Sequence, residues 1–289
     1  MTQDGNTSAV FGKWSIREQT LDYGKRMLVM GILNVTPDSF SDGGSFYTPE
    51  HARIGALGLQ EDGADILDIG AESTRPGSER ISADEELSRL IPALQLILKE
   101  VKIPVSIDTY KSKTAREALR FGASIINDVW GLQYDPEMAD VVSQYGAGVV
   151  IMANYTDAKI FERKGDIVSD CLRFFEKSAE IAQKAGIKAN NMIFDPGIGF
   201  GTDTQESLTL IRSIPRIQNE GYPLLIGPSR KRFIGETLGG VPADRRDAAT
   251  AAVSLFCREN KAACVRIHNV YETVTAVKMM EALQGGENG

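Results

Sequence analysis

Polar and charged side chains recur in this chain at one kind of place, directly after a short apolar run. Asn34 follows MGIL, Asp108 closes IPVSID, Asn127 and Asp128 close ASIIND, and Asn154 closes GAGVVIMAN. Glu72 and Ser73 follow ADILDIGA, Asp195 closes NMIFD, Ser229, Arg230 and Lys231 follow PLLIGP, and Arg266 and His268 sit in ACVRIH. Carboxylates accept N–H donors, while Arg, Lys and His hold anions and stabilise growing negative charge. Each residue also has a plainer reading. Asp108 and Thr109 precede a helical stretch and suit an N-cap. Asp195-Pro196-Gly197 is an ordinary turn setting. Arg230 and Lys231 can be solvated loop charges, and His268 a satisfied structural histidine. Eight such run ends exceed what capping needs, because one cap serves one helix and several ends carry two polar groups.

Other chemistries find little support. The chain has no G-x-S-x-G and no cysteine beside a histidine, so no nucleophile–base triad is spelled out. Cys171, Cys257 and Cys264 are odd in number and scattered, which fits reduced thiols better than a disulfide frame. His51 stands in the start of a helix (PEHARIGAL) and reads as a surface residue; with His268 it has no metal-ligand spacing. The formal net charge of -7 argues against broad nucleic-acid binding. The opening MTQDGNTSAV lacks the basic start and apolar stretch expected of a signal peptide, and no apolar run approaches the roughly 18 residues of a membrane span. The expectation is a cytoplasmic protein with no membrane and no nucleic-acid partner.

The elements that must position these groups follow a single rhythm. The apolar runs span 27–35, 64–70, 103–109, 123–129, 146–154, 191–197, 223–229 and 263–269. They are nearly continuous rather than alternating, as in strands buried on both faces. Between them, 85–101, 114–122, 171–186 and 248–260 carry apolar residues three and four apart, the helical spacing. Eight strand–helix units predict an α/β fold, a TIM (β/α)8 barrel in a single domain, whose active groups stand at the C-terminal strand ends. An open doubly wound sheet is the alternative, but no G-x-G-x-x-G follows the first strand. Residues 14–26 predict a short N-terminal hairpin, residues 1–10 a disordered tail, 11–284 the barrel domain and 285–289 a frayed end. Two strand-end loops, 35–50 and 72–86, are long and rich in Gly, Ser, Asp and Pro, which suggests lids on the active face.

These segments together resemble the dihydropteroate synthase family. MGILNVTPDSFSDGG (30–44) and DIGAESTRPG (68–77) are similar to its two signatures; SIDTYK, IIND, DPGIGFG, GPSRKRFIG and VRIHNV follow in the same order, over roughly 27–270. The resemblance implies a transferase of folate biosynthesis. It condenses (7,8-dihydropterin-6-yl)methyl diphosphate with 4-aminobenzoate, giving 7,8-dihydropteroate and diphosphate, with Mg²⁺ as cofactor, a homodimer as assembly, and sulfonamides as competitors. It assigns pterin binding to Asp108, Asn127, Met152, Asp195 and Lys231, and diphosphate binding to Asn34, Arg266 and His268, with Asn34 near the metal. It assigns 4-aminobenzoate binding to Phe40, Thr74, Arg75, Pro76, Phe200 and Ser229, and loop closure to Asp42 and Arg75. Asp108, Asp195, Lys231, Arg266 and His268 are then the catalytic set.

Under that resemblance the chemistry is consistent. A carboxylate such as Asp195 accepts the pterin's N–H edge, Asn127 both donates and accepts, and Lys231 donates to the ring. Charge growing on the departing diphosphate meets Arg266 and His268, cation character on the pterin methylene meets Asp108 and Asp195, and the expected path is SN1-like. Lys231, Ser229 and the helix start after Ser229 can receive the 4-aminobenzoate carboxylate. Two departures stand out: Ile151, Met152, Ala153 and Asn154 where many members carry His-Met, and Arg232 where most carry Ser. The alternatives are a pterin-binding methyltransferase working with a corrinoid partner, a catalytically inactive pterin-binding paralogue, and, on fold alone, a phosphosugar isomerase or aldolase.

Overall fold

The computed structural model describes residues 12–36, 48–73 and 79–284; the expected tail and frayed end lie outside them. A hairpin comes first, β1 (Lys13–Ile16) paired antiparallel with β2 (Gln19–Asp22). The barrel follows as β3 (Leu28–Asn34), α1 (Pro49–Glu61), β4 (Ile66–Gly70), α2 (Ala83–Glu100), β5 (Val105–Asp108), α3 (Ser112–Phe121), β6 (Ile125–Asp128) and α4 (Met138–Tyr145). It continues as β7 (Gly148–Met152), α5 (Ile167–Lys184), β8 (Met192–Asp195), α6 (Thr204–Arg212), α7 (Ile214–Asn219), β9 (Leu225–Ile226), α8 (Arg232–Thr237), α9 (Asp247–Glu259), β10 (Cys264–Ile267) and α10 (Val270–Leu283). Each predicted strand is present, shortened at its ends.

The eight barrel strands pair in parallel in the order β8-β7-β6-β5-β4-β3-β10-β9. The ring is completed between β8 and β9 by a single bridge, Phe194 with Leu224, where the Phe194 N–H donates to Pro223 O at 2.9 Å. The helices start where the sequence supplies caps. Ser82 caps α2 by accepting from Glu85 N–H, Asp166 caps α5 on Val168 and Ser169, and Asp203 with Glu206 forms a capping box on α6. The inner face of α2 is Leu90, Ala93, Leu94 and Ile97, one stripe at helical spacing.

The strand pleat divides the interior in two. Outward-facing Val29, Leu67, Ile69, Ile107, Ile126, Val149, Ile151 and Val265 join the helix faces in the larger core. Inward-facing Leu28, Met30, Ile66, Ile125, Val150, Ile193, Leu225 and Cys264 form a second core with Trp14 and Ile16 of the hairpin. The hairpin therefore stoppers the N-terminal end of the barrel. Trp14 Nε1–H donates to Asn191 O at 2.9 Å, and Arg17 N–H donates to Gly146 O at 2.8 Å. Gly148 makes the seating possible, since a Cβ there would lie 2.4 Å from Ile16 Cγ2.

Candidate active site

Register brings Asn34, Asp108 and Asn127 to one height. Asn34 pairs with Gly70, Gly70 with Asp108, and Asp108 with Asn127; on the next two strands the level of Asn127 is Val150 and Ile193, and the pair Met152 and Asp195 stands two residues further along. All lie at the C-terminal end of the ring, one pleat or more beyond the apolar layer. A charge in this position is buried and must find partners or change its protonation.

Arg266 of β10 is the hub. Its Nε–H donates to Asp68 Oδ2 at 2.6 Å and its Nη2–H to Asp108 Oδ2 at 2.8 Å. Asn127 Nδ2–H donates to the same Asp68 oxygen at 3.1 Å. A Cβ placed at Gly227 would lie 3.7 Å from Asp195 Oδ2, 3.7 Å from Lys231 Nζ and 4.0 Å from Arg266 Cβ, so the Asp195 carboxylate and the Lys231 ammonium meet beside the root of the Arg266 side chain. A Cβ at Gly70 would likewise sit 3.6 Å from Asn34 Oδ1 and 3.7 Å from Asp108 Oδ2. Glycine at 70 and 227 leaves the space over the hub open.

Burial sets the protonation of the hub. It pushes Asp108 up to about 7, with Arg266 opposing and Asp68 reinforcing the rise. Burial also raises Asp195, against Lys231 and the Gly197 N–H, which donates to Asp195 Oδ1 at 2.8 Å. It brings Lys231 down to about 8, with Asp195 holding it from falling further. Burial works against Arg266 too, but Asp68 and Asp108 outweigh it and raise its pKa.

Each flanking segment is held from outside the pocket. Lys231 Nζ donates to Ile198 O and lies 4.9 Å above the Phe200 ring. Arg230, at φ +57°, forms a two-point ion pair with Asp247 at 2.7 and 2.6 Å, and Arg246 donates to the carbonyls of Arg230 and Lys231. Ser229 Oγ lies 2.8 Å from His268 Nδ1 and accepts from His268 N–H at 3.0 Å, so Ser229 anchors the imidazole. Met152 belongs to an apolar wall with Tyr110, Val129 and Trp130, against which Phe200 packs. The turn after β8 requires glycine at 197, φ +74°, because a Cβ there would lie 1.8 Å from Ala153 O.

Asp108 is no cap: α3 begins after Lys111, and the Asp108 carboxylate goes to Arg266. Asp195 does stabilise its turn, yet its second oxygen faces Lys231. Lys231 is buried rather than solvated, and Arg230, although its side chain is 37% exposed, is held in an ion pair with Asp247. The helix after Ser229 is a six-residue turn starting at Arg232. His51 is exposed on α1. Among the described residues no cluster of three or more His, Cys, Asp or Glu is placed to hold a metal. Phe40, Asp42, Thr74, Arg75 and Pro76 lie outside the described residues.

Asp68 is a residue that the sequence reading missed. It sits within the apolar run ILDIG and was passed over as core; the signal was a carboxylate on the inward pleat. Also missed was a support behind β4 and β5. Glu72 accepts from Tyr110 Oη–H at 2.9 Å and pairs with Lys111, which also meets Glu86 at 2.8 Å. The two departures have structural accounts. Asn154 donates to Val129 O at 3.0 Å and accepts from Thr156, bracing two loops. The Arg232 side chain is 69% exposed and lies 3.5 Å from Glu236 one turn on.

Comparison with known proteins decides the lineage. The family model of pterin binding enzymes matches residues 30–268. A dihydropteroate synthase from Bacillus subtilis is 43% identical over 267 residues, 92% of each chain. The chain belongs to the dihydropteroate synthase family. Two solved members of the family extend the match to the fold. A dihydropteroate synthase from Clostridium difficile, in the presence of pteroic acid, superposes with a TM-score of 0.85 at 43% identity, covering 91% of this chain and 98% of that one. One from Xanthomonas albilineans with 4-aminobenzoic acid superposes with a TM-score of 0.88 at 39% identity, covering 94% and 98%.

Proposed function

We infer that this chain is a transferase that joins a 7,8-dihydropterin methyl diphosphate to 4-aminobenzoate, releasing diphosphate and 7,8-dihydropteroate in folate biosynthesis. The observation that carries it is the meeting of the Asp195 carboxylate and the Lys231 ammonium above Gly227, beside Arg266, in a chain that dihydropteroate synthases match over 92% of its length. Incubating the protein with both substrates and Mg²⁺ is expected to yield dihydropteroate and diphosphate. Pterin diphosphate bound without turnover would instead mark an inactive paralogue, and corrinoid-dependent methyl transfer would mark the methyltransferase.

The division of labour follows the charges. Asp195 and Asn127 accept and orient the heterocycle, Lys231 donates to it, Met152 packs on it, and Phe200 and Ser229 line the 4-aminobenzoate pocket. Arg266 reaches the hub with Nε–H and one Nη2–H already engaged, and Nη1 makes no hydrogen bond among the described residues, so it remains for the diphosphate. His268, anchored by Ser229, stands beside it. The carbon–oxygen bond breaks first, the diphosphate leaves with the bonding pair, and Asp108 and Asp195 stabilise the pterin methylene cation. The neutral aniline nitrogen then attacks the methylene carbon with its lone pair, and the weakly basic anilinium so formed gives its proton to the departed diphosphate, so no strong base is required. Water must be kept out meanwhile. Phe40, Asp42, Thr74, Arg75 and Pro76 complete the 4-aminobenzoate side of this reading.

Asn34 is the residue that would hold Mg²⁺. Its amide oxygen is a hard donor, and among the described residues no cluster of three or more acidic, histidine or cysteine side chains adds to it. That suits an ion that keeps water and substrate phosphate oxygens in its shell. When bound, Mg²⁺ neutralises charge on the diphosphate. The proposed assembly is a homodimer of single domains spanning 11–284. Phe256 on α9 and Met279 and Leu283 on α10 leave apolar surface exposed, as an interface requires. Among the described residues no helix is long and apolar enough to cross a membrane, and a cytoplasmic location and sulfonamide competition complete the proposal.

A further inference from the structure

We propose that Asp68 is a positioning residue that fixes the hydrogen-bonding direction of the pocket floor, turning the Asn127 carbonyl and the free edge of the Arg266 guanidinium toward the substrate. The inference rests on the functional reading above and concerns a residue that does not itself reach the ligand. Asp68 is fully buried on β4, one pleat below Gly70. Its Oδ2 takes two donors from two different strands, Arg266 Nε–H at 2.6 Å and Asn127 Nδ2–H at 3.1 Å. Its Oδ1 is buried with no hydrogen-bond partner among the described residues.

An ionised carboxylate only accepts, whereas an amide both donates and accepts. Facing Asp68, Asn127 has one stable orientation, with Nδ2 toward the carboxylate. Its Oδ1, which accepts nothing from the described residues, is thereby turned away from Asp68 and left to receive an N–H of the bound ring. The same carboxylate takes Nε, the inner corner of the Arg266 guanidinium. With Asp108 holding Nη2, the planar group is fixed by two acids along one edge and presents Nη1 outward. Asp68 thus sorts donors from acceptors at both substrate-facing groups.

The test is Asp68→Asn, which keeps the shape and removes the acceptor-only character. Calorimetry with a diphosphate-free pterin is expected to show binding weakened ~10-fold, and kcat with pterin diphosphate to fall ~100-fold, while KM for 4-aminobenzoate stays within about 3-fold. The decisive readout is coupling. In an Asn127→Ala background the substitution is expected to weaken pterin binding by less than about 3-fold, and in an Arg266→Lys background to lower kcat by less than about 3-fold. Wild-type affinity and turnover in Asp68→Asn would overturn the proposal. So would losses that multiply undiminished in both backgrounds, since that is how a purely structural residue behaves. If Asp68→Asn does not fold, Asp68→Ser is read in the same assays, with thermal melting alongside. If the unsubstituted protein makes no dihydropteroate, the functional reading fails, yet the pterin-binding arm still decides the role of Asp68.

Discussion

The two ends of this barrel are lined by the same strands and differ by one pleat. At the N-terminal end the inward residues are Ile66, Ile125, Val150, Ile193 and Cys264, sealed by Trp14 and Ile16. Two residues further along each strand they become Asp68, Asn127, Met152, Asp195 and Arg266. The lower layer is held by packing, although Ser106 of β5, the inward residue two before Asp108, keeps a buried Oγ without a partner among the described residues. The upper layer holds three buried carboxylates against Arg266 and Lys231, satisfied only in part: an oxygen of Asp68 and one of Asp108 lack partners. The lesson is that stability and chemistry are separated here by about 7 Å along each strand, the advance of two residues, and not by region of sequence.

Substitutions at the two ends are accordingly expected to fail differently. The largest effect belongs to Asp195→Ala, which removes the ring-holding carboxylate and leaves Lys231 buried without its main counter-charge. Pterin binding is expected to vanish from calorimetry, and an unchanged affinity would refute the assignment. Next is Arg266→Ala. Turnover is expected to drop ~1000-fold, well beyond the loss in affinity for a diphosphate-free pterin, with ~3–5 kcal/mol of stability lost because Asp68 and Asp108 are left facing each other. Equal losses in binding and turnover would remove Arg266 from the leaving-group side.

At the other end, Trp14→Ala is expected to cost ~3–5 kcal/mol in urea unfolding while kcat/KM stays near the original at permissive temperature. A large catalytic defect there would erase the contrast between the ends.

A subtler test uses pH. Because the folded-state pKa of Asp108 is raised to about 7 from 3.8, chiefly by burial, its contribution to stability is fully present below about 3.8 and is lost as pH rises through about 7. Asp108→Asn, which mimics the protonated form, is therefore expected to lose turnover yet to melt at higher temperature than the parent at pH 8, an advantage that shrinks toward pH 5. The smallest effect is expected at Arg232, exposed and beside Glu236: Arg232→Ser should move a sulfonamide inhibition constant by less than about 3-fold.

Much of this was legible in the sequence. The eight apolar runs mark the eight strands, because parallel strands covered on both faces have no polar side to interrupt them. The ends were overdrawn. The run 223–229 yields only Leu225–Ile226, since Gly227 and Pro228 leave the ladder to open the pocket. The hairpin expected over 14–26 stops at Asp22, where the Asp22 side chain turns the chain by accepting from Gly24 N–H. Polar strand ends pointed to the pocket because each ends an apolar run. Asp68 escaped because it does not, and the Arg230–Asp247 and Glu72–Lys111 pairs escaped because partners so far apart in sequence carry no shared local pattern.

The stopper has a kinetic corollary. Trp14 lies near the start of the chain, but its indole bonds to Asn191, 177 residues later. The plug is complete only once the segment before β8 has docked, so its closing is expected to be a late step of folding. The chain contains two tryptophans, Trp14 at this end and Trp130 beside the pocket. In a Trp130→Phe protein, the emission of Trp14 would time the closing of the floor during refolding, separately from the appearance of ligand binding at the opposite mouth.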